Sequence, residues 1–430
     1  MGWLAIMLDI GFWTVIAVPL IIAILRARSI DTRAFAFNDG ATNLFASACS
    51  VVCSNVGVGT FVAIYLFTRA SPLIGATIVI AYTFGLLLCA WFAPLIHRQS
   101  RDTNTFTLVD LIVVQHGSRS IWPVWLPISL IFVLRSAVQL AALTIILSEA
   151  MDLSPLVSLF IATSSVALYS IVGGYQAATS TDIVQAIIIL VLVGLLLFGF
   201  SDFQAEPRPF FDLGPHAVTL LIGIALFVPL SPILAVDNWQ RMATASDAST
   251  ARKAFLVAAP LCAIVYGAIF WAGMLPSPTG DVLQSFRTFM PYDQTWLADM
   301  LFMIAIVSSI DTFVMPLVSS FQRLGASLAT MRVAVIAIFA ATAMLSWAAG
   351  DILSTVIASF SSLTVLLPCV IGAFFVSRPS TNAAWFSLNI GVATTLIATY
   401  TFPDAAALLG FATSVIVYWL WSNQGRAISI

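Results

Sequence analysis

Runs of about 20 apolar residues recur along the chain, and each is long enough to cross a bilayer as a helix. Short connections rich in Pro, Gly and charged residues separate them. The pattern predicts thirteen spanning helices, at roughly 3–25, 42–68, 72–96, 121–149, 154–172, 178–200, 216–236, 254–275, 296–322, 331–349, 352–376, 383–402 and 405–422. Residues 104–117 add a short interfacial helix, and 277–294 form the longest polar connection. The first run, Gly2 to Leu25, exceeds a signal-peptide core and ends at Arg26 and Arg28, so it is expected to be a retained helix. The expected class is an all-α polytopic membrane protein without a separate soluble domain.

Two of these helices are interrupted. The second contains Cys53 to Thr60, with Gly57 and Gly59 at its centre, and the seventh contains Phe227 to Ile233, with Pro229 and Pro232. Gly and Pro weaken or break a helix. They are also tolerated in ordinary membrane helices, so neither break says much alone. Together they lie five helices apart, in helices of opposite direction. That spacing predicts an inverted repeat of five plus five helices with the binding site at the breaks.

The ninth predicted helix carries Ser308, Ser309, Asp311 and Thr312 in the middle of an apolar run. Hydrocarbon cannot solvate a carboxylate or a row of hydroxyls, so polar groups at that depth tend to mark a solute or ion route. At about 100° per residue, Thr312 lies near +40° from Ser308, Ala305 near +60°, Ser309 near +100° and Asp311 near −60°. The polar atoms therefore share one broad face. Hydroxyls and carbonyls are hard oxygen ligands that suit a small cation such as Na+. Single hydroxyls are also common contacts between membrane helices; four polar residues including an acid go beyond that.

Arg135 lies near the centre of the 121–149 helix, where a guanidinium costs about 3 kcal/mol on insertion scales. Gln139, one turn on, shares its face. Arg135 either clamps the carboxylate of a solute or forms a structural pair with a protein acid or carbonyls. Asp182 follows the Gly173–Gly174 turn at the start of the sixth helix, where Ser180 or Thr181 can cap. It either complements the helix dipole or forms a stop on an ion route.

Composition fits this picture: 60% of residues are hydrophobic and 8% are charged. The formal charge of −2 offers no basic surface for nucleic acid. The five cysteines fall in apolar runs without metal-type spacing. With the N-terminus outside, Arg26, Arg28, Arg33, Arg98, Arg101, Arg119, Arg241, Arg252, Lys253, Arg323, Arg332, Arg378 and Arg426 fall inside, against Arg69, Arg208 and Arg287 outside. This positive-inside bias orients the chain in a cell inner (plasma) membrane with the C-terminus cytoplasmic. No P-loop, HExxH, GxSxG or CxxC occurs. Residues 237–241 and 244–253 are expected to form a polar cytoplasmic connection, and no enzyme activity is expected.

Tyr169, Gly173, Gly174, Ala177, Thr181, Asp182 and Gln185 fall in a pattern that resembles the Y-x-x-x-G-G-x-x-A-x-x-x-T-D-x-x-Q signature of the solute:sodium symporter family. Asn238 to Ala245, followed by Ala251 and Arg252, resembles that family's Gln-Arg cytoplasmic segment. Ala305, Ser308 and Ser309 match its A-x-x-S-[ST] sodium motif. The resemblance runs from about residue 10 to 422 and is similar in particular to sialic-acid-transporter-like members. It implies a LeuT-type fold with one extra N-terminal helix (1–40), repeats at 41–201 and 215–378, and two extra C-terminal helices (379–430), all in one transporter domain. It implies a sodium site formed by the carbonyls of Cys53, Val56 and Ala305 and the hydroxyls of Ser308 and Ser309. A second sodium position would use Asp182, Ser308, Asp311 and Thr312. Sialic-acid members carry an Arg where Arg135 stands, which binds the solute carboxylate. The chain departs from the family at Gly57 and Gly59, where polar residues often follow the break, and at Asp311, often a Ser.

The expected solute contacts are Arg135, Gln139, Asn55, Gly57, Thr60 and Phe61. The expected function is sodium-coupled import of a small organic solute bearing a carboxylate, by alternating access, through a monomeric transport unit with no nucleic-acid partner. A proton-coupled symporter of the same fold and a ligand sensor without flux are the alternatives.

Overall fold

A computed structural model describes residues 15, 17–25, 30–204, 209–213, 218–276, 281–291, 294–348, 352–376 and 379–424. Most of the first predicted helix lies outside them, as do Arg26, Arg28, Arg208, Arg378 and Arg426. The described chain is helical throughout. In order, α1 is Thr32–Phe37, α2 Leu44–Asn55, α3 Val58–Ala70, α4 Pro72–Thr103, α5 Leu108–Gln115, α6 Trp122–Met151 and α7 Pro155–Gly199. Next come α8 Val218–Phe227, α9 Ser231–Leu234, α10 Val236–Thr244, α11 Ala248–Met274, α12 Val282–Phe289 and α13 Trp296–Ser319. The last five are α14 Leu328–Ala348, α15 Ile352–Leu363, α16 Leu367–Phe375, α17 Thr381–Thr401 and α18 Ala406–Gln424. Side-chain oxygens of Asp31, Asn43, Ser71, Thr107, Asp247 and Asp281 accept backbone N–H groups at helix starts, satisfying donors that the helix leaves open.

Among the described residues nine helices are long and apolar enough to cross a membrane, or up to 11 if each of two bent pairs is one span. The bent pairs are α2 with α3, at 51°, and Val218–Leu234 with α10, at 45°. One of the nine, α7, has 45 residues. At about 1.5 Å per residue it is about 67 Å long, roughly twice the hydrocarbon thickness. It holds two of the expected spans, divided at Gly174, whose φ of 55° and ψ of −149° are non-helical. A Cβ at Gly174 would meet the Phe35 carbonyl at 2.5 Å, so conformation and space both require glycine there.

Burial orders the bundle. From Leu301 to Ser319 α13 is buried without interruption, and α6 and α7 pack against it. By contrast α14 and α18 expose Val333, Ile336, Met344, Ile416, Trp419 and Leu420, as helices facing lipid do. The polar stripe of the ninth predicted helix thus lies at the centre of the protein.

At one end of the bundle, backbone pairing joins the start of one bent helix to the end of the other. Thr42 and Ala245 form a parallel bridge, in which Thr42 N donates to Thr244 O at 3.2 Å and Ser246 N to Thr42 O at 3.0 Å. Arg101 adds bonds to Gly40 O at 2.5 Å and Ala245 O at 3.2 Å.

Several boundaries differ from the sequence reading. The expected short helix within 104–117 is α5, and the 277–294 connection contains α12. The second break falls at Ala235, whose extended backbone (φ −77°, ψ 124°) separates α9 from α10. Residues 237–241 are not a polar connection: every residue of α10 is buried, and the bent helix continues through it to Thr244. Their polarity reflects partners inside the protein.

Candidate functional site

The first break begins where α2 ends at Asn55. Val56 (φ −99°, ψ 72°) and Gly57 (φ −112°, ψ 167°) are extended before α3 starts at Val58. A break frees carbonyls that the helix would otherwise bond. Opposite them lies α13. Ser309 Oγ is 3.2 Å from Cys53 O and 2.8 Å from Ala305 O, and Ser308 Oγ is 3.5 Å and 3.1 Å from the same two oxygens. Four of the five expected sodium ligands, Cys53, Ala305, Ser308 and Ser309, therefore converge on one oxygen cluster, fully or almost fully buried. The fifth, Val56, is buried in the break itself. Each hydroxyl donates only to a carbonyl of this cluster, so a cation could take both hydroxyl oxygens and both carbonyls together.

Gly57 brings the break close to its neighbours. A Cβ there would lie 2.7 Å from both Gln139 Nε2 and Ser309 Oγ. The Gln139 side-chain oxygen accepts from Val58 N at 2.9 Å, satisfying a donor at the start of α3. Gln139 is thus bound to the break as well as sharing the face of Arg135.

Arg135 is buried and surrounded by aromatic rings. Its guanidinium carbon lies 4.5 Å from the ring centre of Phe360, 4.8 Å from that of Phe313 and 5.6 Å from that of Phe132. Cation–π attraction offsets part of its desolvation. Nη1 has no hydrogen-bond partner, and no carboxylate forms an ion pair with Arg135 among the described residues. A small pocket of about 10 Å³ is lined by Arg135, Gln139, Gly57, Thr60, Ser359 and Phe360, among others.

Two expected solute contacts lie elsewhere. Phe61 packs in an aromatic core cluster with Phe286 and Phe302, with ring centres 5.9 and 5.2 Å away, outside the pocket lining. Asn55 joins the two breaks: its amide nitrogen donates to Asn238 Oδ1 at 2.9 Å, and Asn238 Nδ2 donates back at 3.1 Å. Tyr82 and Tyr266 hydroxyls also donate to Asn55.

The second expected ion position is built differently. Asp182 lies well inside the second half of α7, where Ser180 and Thr181 bond to Gln176 and Ala178 carbonyls and cap nothing. It accepts a hydrogen bond from Ser50 Oγ and pairs with Arg241 at 3.5 Å. Arg241 also donates to Ser50 Oγ at 2.8 Å and to Asp237 O at 3.1 Å. Thr312 Oγ1 donates to Ser309 O at 2.8 Å. Asp311 is fully buried, and neither carboxyl oxygen has a hydrogen-bond partner. The Tyr169 hydroxyl lies beside it, donating to Val307 O at 3.3 Å, and Asp182 and Arg241 are the charges acting on it. Sequence reasoning did not place Ser50, Asn238 and Arg241 in this cluster; the resemblance of Asn238 to Ala245 to the Gln-Arg segment and the i, i+4 spacing of Asp237 and Arg241 were signals for the last two, and Ser50 had none.

Comparisons with known proteins agree with this architecture. Residues 37–205 match the profile of the Sodium:solute symporter family. No curated protein sequence matches the chain. Among solved structures, a Na+-coupled sialic acid symporter in a substrate-bound outward-open state aligns over 98% of this chain and 98% of its own, at 16% identity and a TM-score of 0.77. Mhp1, a nucleobase-cation-symport-1 family transporter in a closed conformation with bromovinylhydantoin bound, aligns over 92% and 94%, at 14% identity and a TM-score of 0.58. The manganese transporter of Eremococcus coleocola, in complex with an aromatic bis-isothiourea substituted compound, aligns over 89% and 95%, at 12% identity and a TM-score of 0.52. The chain thus resembles the sodium:solute symporter family in sequence and has the all-helical fold of LeuT-type transporters.

Proposed function

We propose that the protein is a sodium-coupled symporter that imports a small organic solute carrying a carboxylate. One observation carries the reading: a cluster of hard oxygens from Cys53, Ala305, Ser308 and Ser309 is joined through Gly57 to a pocket holding an arginine without an acid partner. Sodium takes the oxygens freed by the first break, as Val56 and its neighbours leave the helix. The solute carboxylate takes the Arg135 guanidinium, whose fork matches two carboxylate oxygens. The closeness of Gly57 to both Ser309 and Gln139 couples them, because whatever fixes the break for sodium also fixes the wall of the solute pocket. The ion's differential affinity for two states of the break then drives alternating access.

The Na+-coupled sialic acid symporter supports sodium as the coupling ion by analogy of fold. In this reading the five-plus-five repeat spans 41–201 and 215–378 within one domain, the transport unit is a monomer, and the N-terminus lies outside a plasma or inner membrane. The end where Thr42 pairs with Ala245 then faces the cytoplasm. Asp182, Asp311 and Thr312 form a second cation position. A proton in place of that second sodium is favoured by one feature, the Asp311 carboxyl with no partner at either oxygen.

The test is uptake of labelled carboxylic acids into proteoliposomes under an inward sodium gradient. Arg135→Ala should abolish it. Uptake driven by a pH gradient in sodium-free buffer would replace sodium with protons as the coupling ion. Ligand binding without flux would make the protein a sensor.

A further inference from the structure

Beyond the small polar pocket lies a larger cavity of about 110 Å³, bounded by α3, α4, α8, α9, α15 and residues 403–407. The two share Thr60, Val356 and Phe360 in their walls, so they adjoin. The Phe360 ring that faces Arg135 at 4.5 Å also lines the larger cavity, which places it between the two spaces. Phe67, Ile78, Ile224, Phe227 and Leu363 are among the apolar residues that make up most of the larger cavity's wall. Four hydroxyls in the wall donate within the protein, Thr60 to Asn55 O, Tyr82 to Asn55 Oδ1, Ser231 to Val228 O and Thr364 to Ser361 O, and Ser361 and Asp404 are the other polar residues of the lining. Gly223 lines the cavity and is buried, yet a Cβ there would meet nothing within 4 Å. The free space lies directly beside it.

We propose that the solute is an amphipathic organic acid, whose carboxylate meets Arg135 and whose hydrocarbon or aryl body fills the larger cavity. The inference rests on the carboxylate reading above and adds what the rest of the solute must be. A polyhydroxylated body would find few partners along these mostly hydrocarbon walls, and a site with few partners disfavours such groups. An apolar body gains by leaving water. Charge at one end and hydrocarbon at the other are thus matched by a guanidinium without an acid partner and an adjoining, mostly apolar space.

The test uses the full chain in proteoliposomes with an inward sodium gradient and labelled 3-phenylpropanoate, with flux into protein-free liposomes subtracted. Saturable uptake is expected, with competition by hexanoate at least tenfold stronger than by gluconate or N-acetylneuraminate. Gly223→Leu, which fills the open space, should raise the half-saturation for 3-phenylpropanoate at least tenfold more than that for acetate. Gly223→Ala should move it in the same direction by a few-fold, which keeps the test decisive if the larger substitution misfolds. Transport of gluconate or N-acetylneuraminate in an Arg135-dependent manner, without transport of either apolar acid, would overturn the apolar body and leave the carboxylate reading standing. Transport of neutral 3-phenylpropanol unchanged by Arg135→Ala would overturn both.

Discussion

The two bent helices turn by similar angles, 51° and 45°, but their breaks have opposite chemistry. At the first, Val56 and Gly57 leave the helix beside Ser308 and Ser309, and the result is a pocket of neutral oxygens. At the second, Ala235 opens the helix beside side chains that fill the gap: Asn238 donates to Pro232 O at 3.0 Å, and Arg241 pairs with Asp182. The first break gathers neutral hydroxyl and carbonyl oxygens, hard ligands that suit a cation. The second carries its own cation. The Asn55–Asn238 pair ties the two breaks to each other.

The largest expected effect comes from emptying the second break. Arg241→Ala leaves Asp182 buried and unpaired, and breaking a buried pair this way costs about 3–5 kcal/mol. The purified protein should melt well below the parent, and Asp182→Asn combined with Arg241→Met should recover part of the loss. If Arg241→Ala melts like the parent, the second break is not held by charge, and the contrast collapses. Next is Gly57→Ala. Its Cβ would press on Ser309 Oγ and Gln139 Nε2, both at 2.7 Å. Half-saturation for sodium and for solute should rise together, each about tenfold, a loss of about 1.4 kcal/mol apiece. A change in only one would show that the break does not couple the two sites. Smallest is Asp311→Ser. It removes a buried acid with no partner, so stability should hold or rise. The sodium half-saturation of the main site should change by less than threefold, while the Hill coefficient for sodium should fall if Asp311 holds a second cation.

Much of the first break was legible in the sequence, because hydrocarbon leaves polar residues few reasons to be present. Ser308, Ser309 and Asp311 stood out in an apolar run, and Gly57 marked the break that faces them. Arg135 stood out for the same reason, and its aromatic surroundings explain how it is tolerated. The second break was harder to read. Asp237 to Arg241 looks like a surface segment in any one-dimensional scan, since its charged and amide groups find key partners distant in sequence: Asp182, 59 positions before Arg241 by their numbers, and Asn55, 183 positions from Asn238. Phe61 was misplaced for a related reason. Its position beside the break suggested the pocket, but the direction of its side chain on α3 is set by Phe286 and Phe302, which the local sequence does not reveal.

The central claim is that the oxygens around the first break bind the coupling sodium. Its most direct test is a sodium titration of solute uptake in proteoliposomes containing the parent protein or Ser309→Ala. The parent should show saturable activation by sodium, and Ser309→Ala, lacking the hydroxyl 3.2 Å from Cys53 O and 2.8 Å from Ala305 O, should need at least tenfold more. Identical sodium half-saturation in the two proteins, or uptake indifferent to sodium in the parent, would contradict the account.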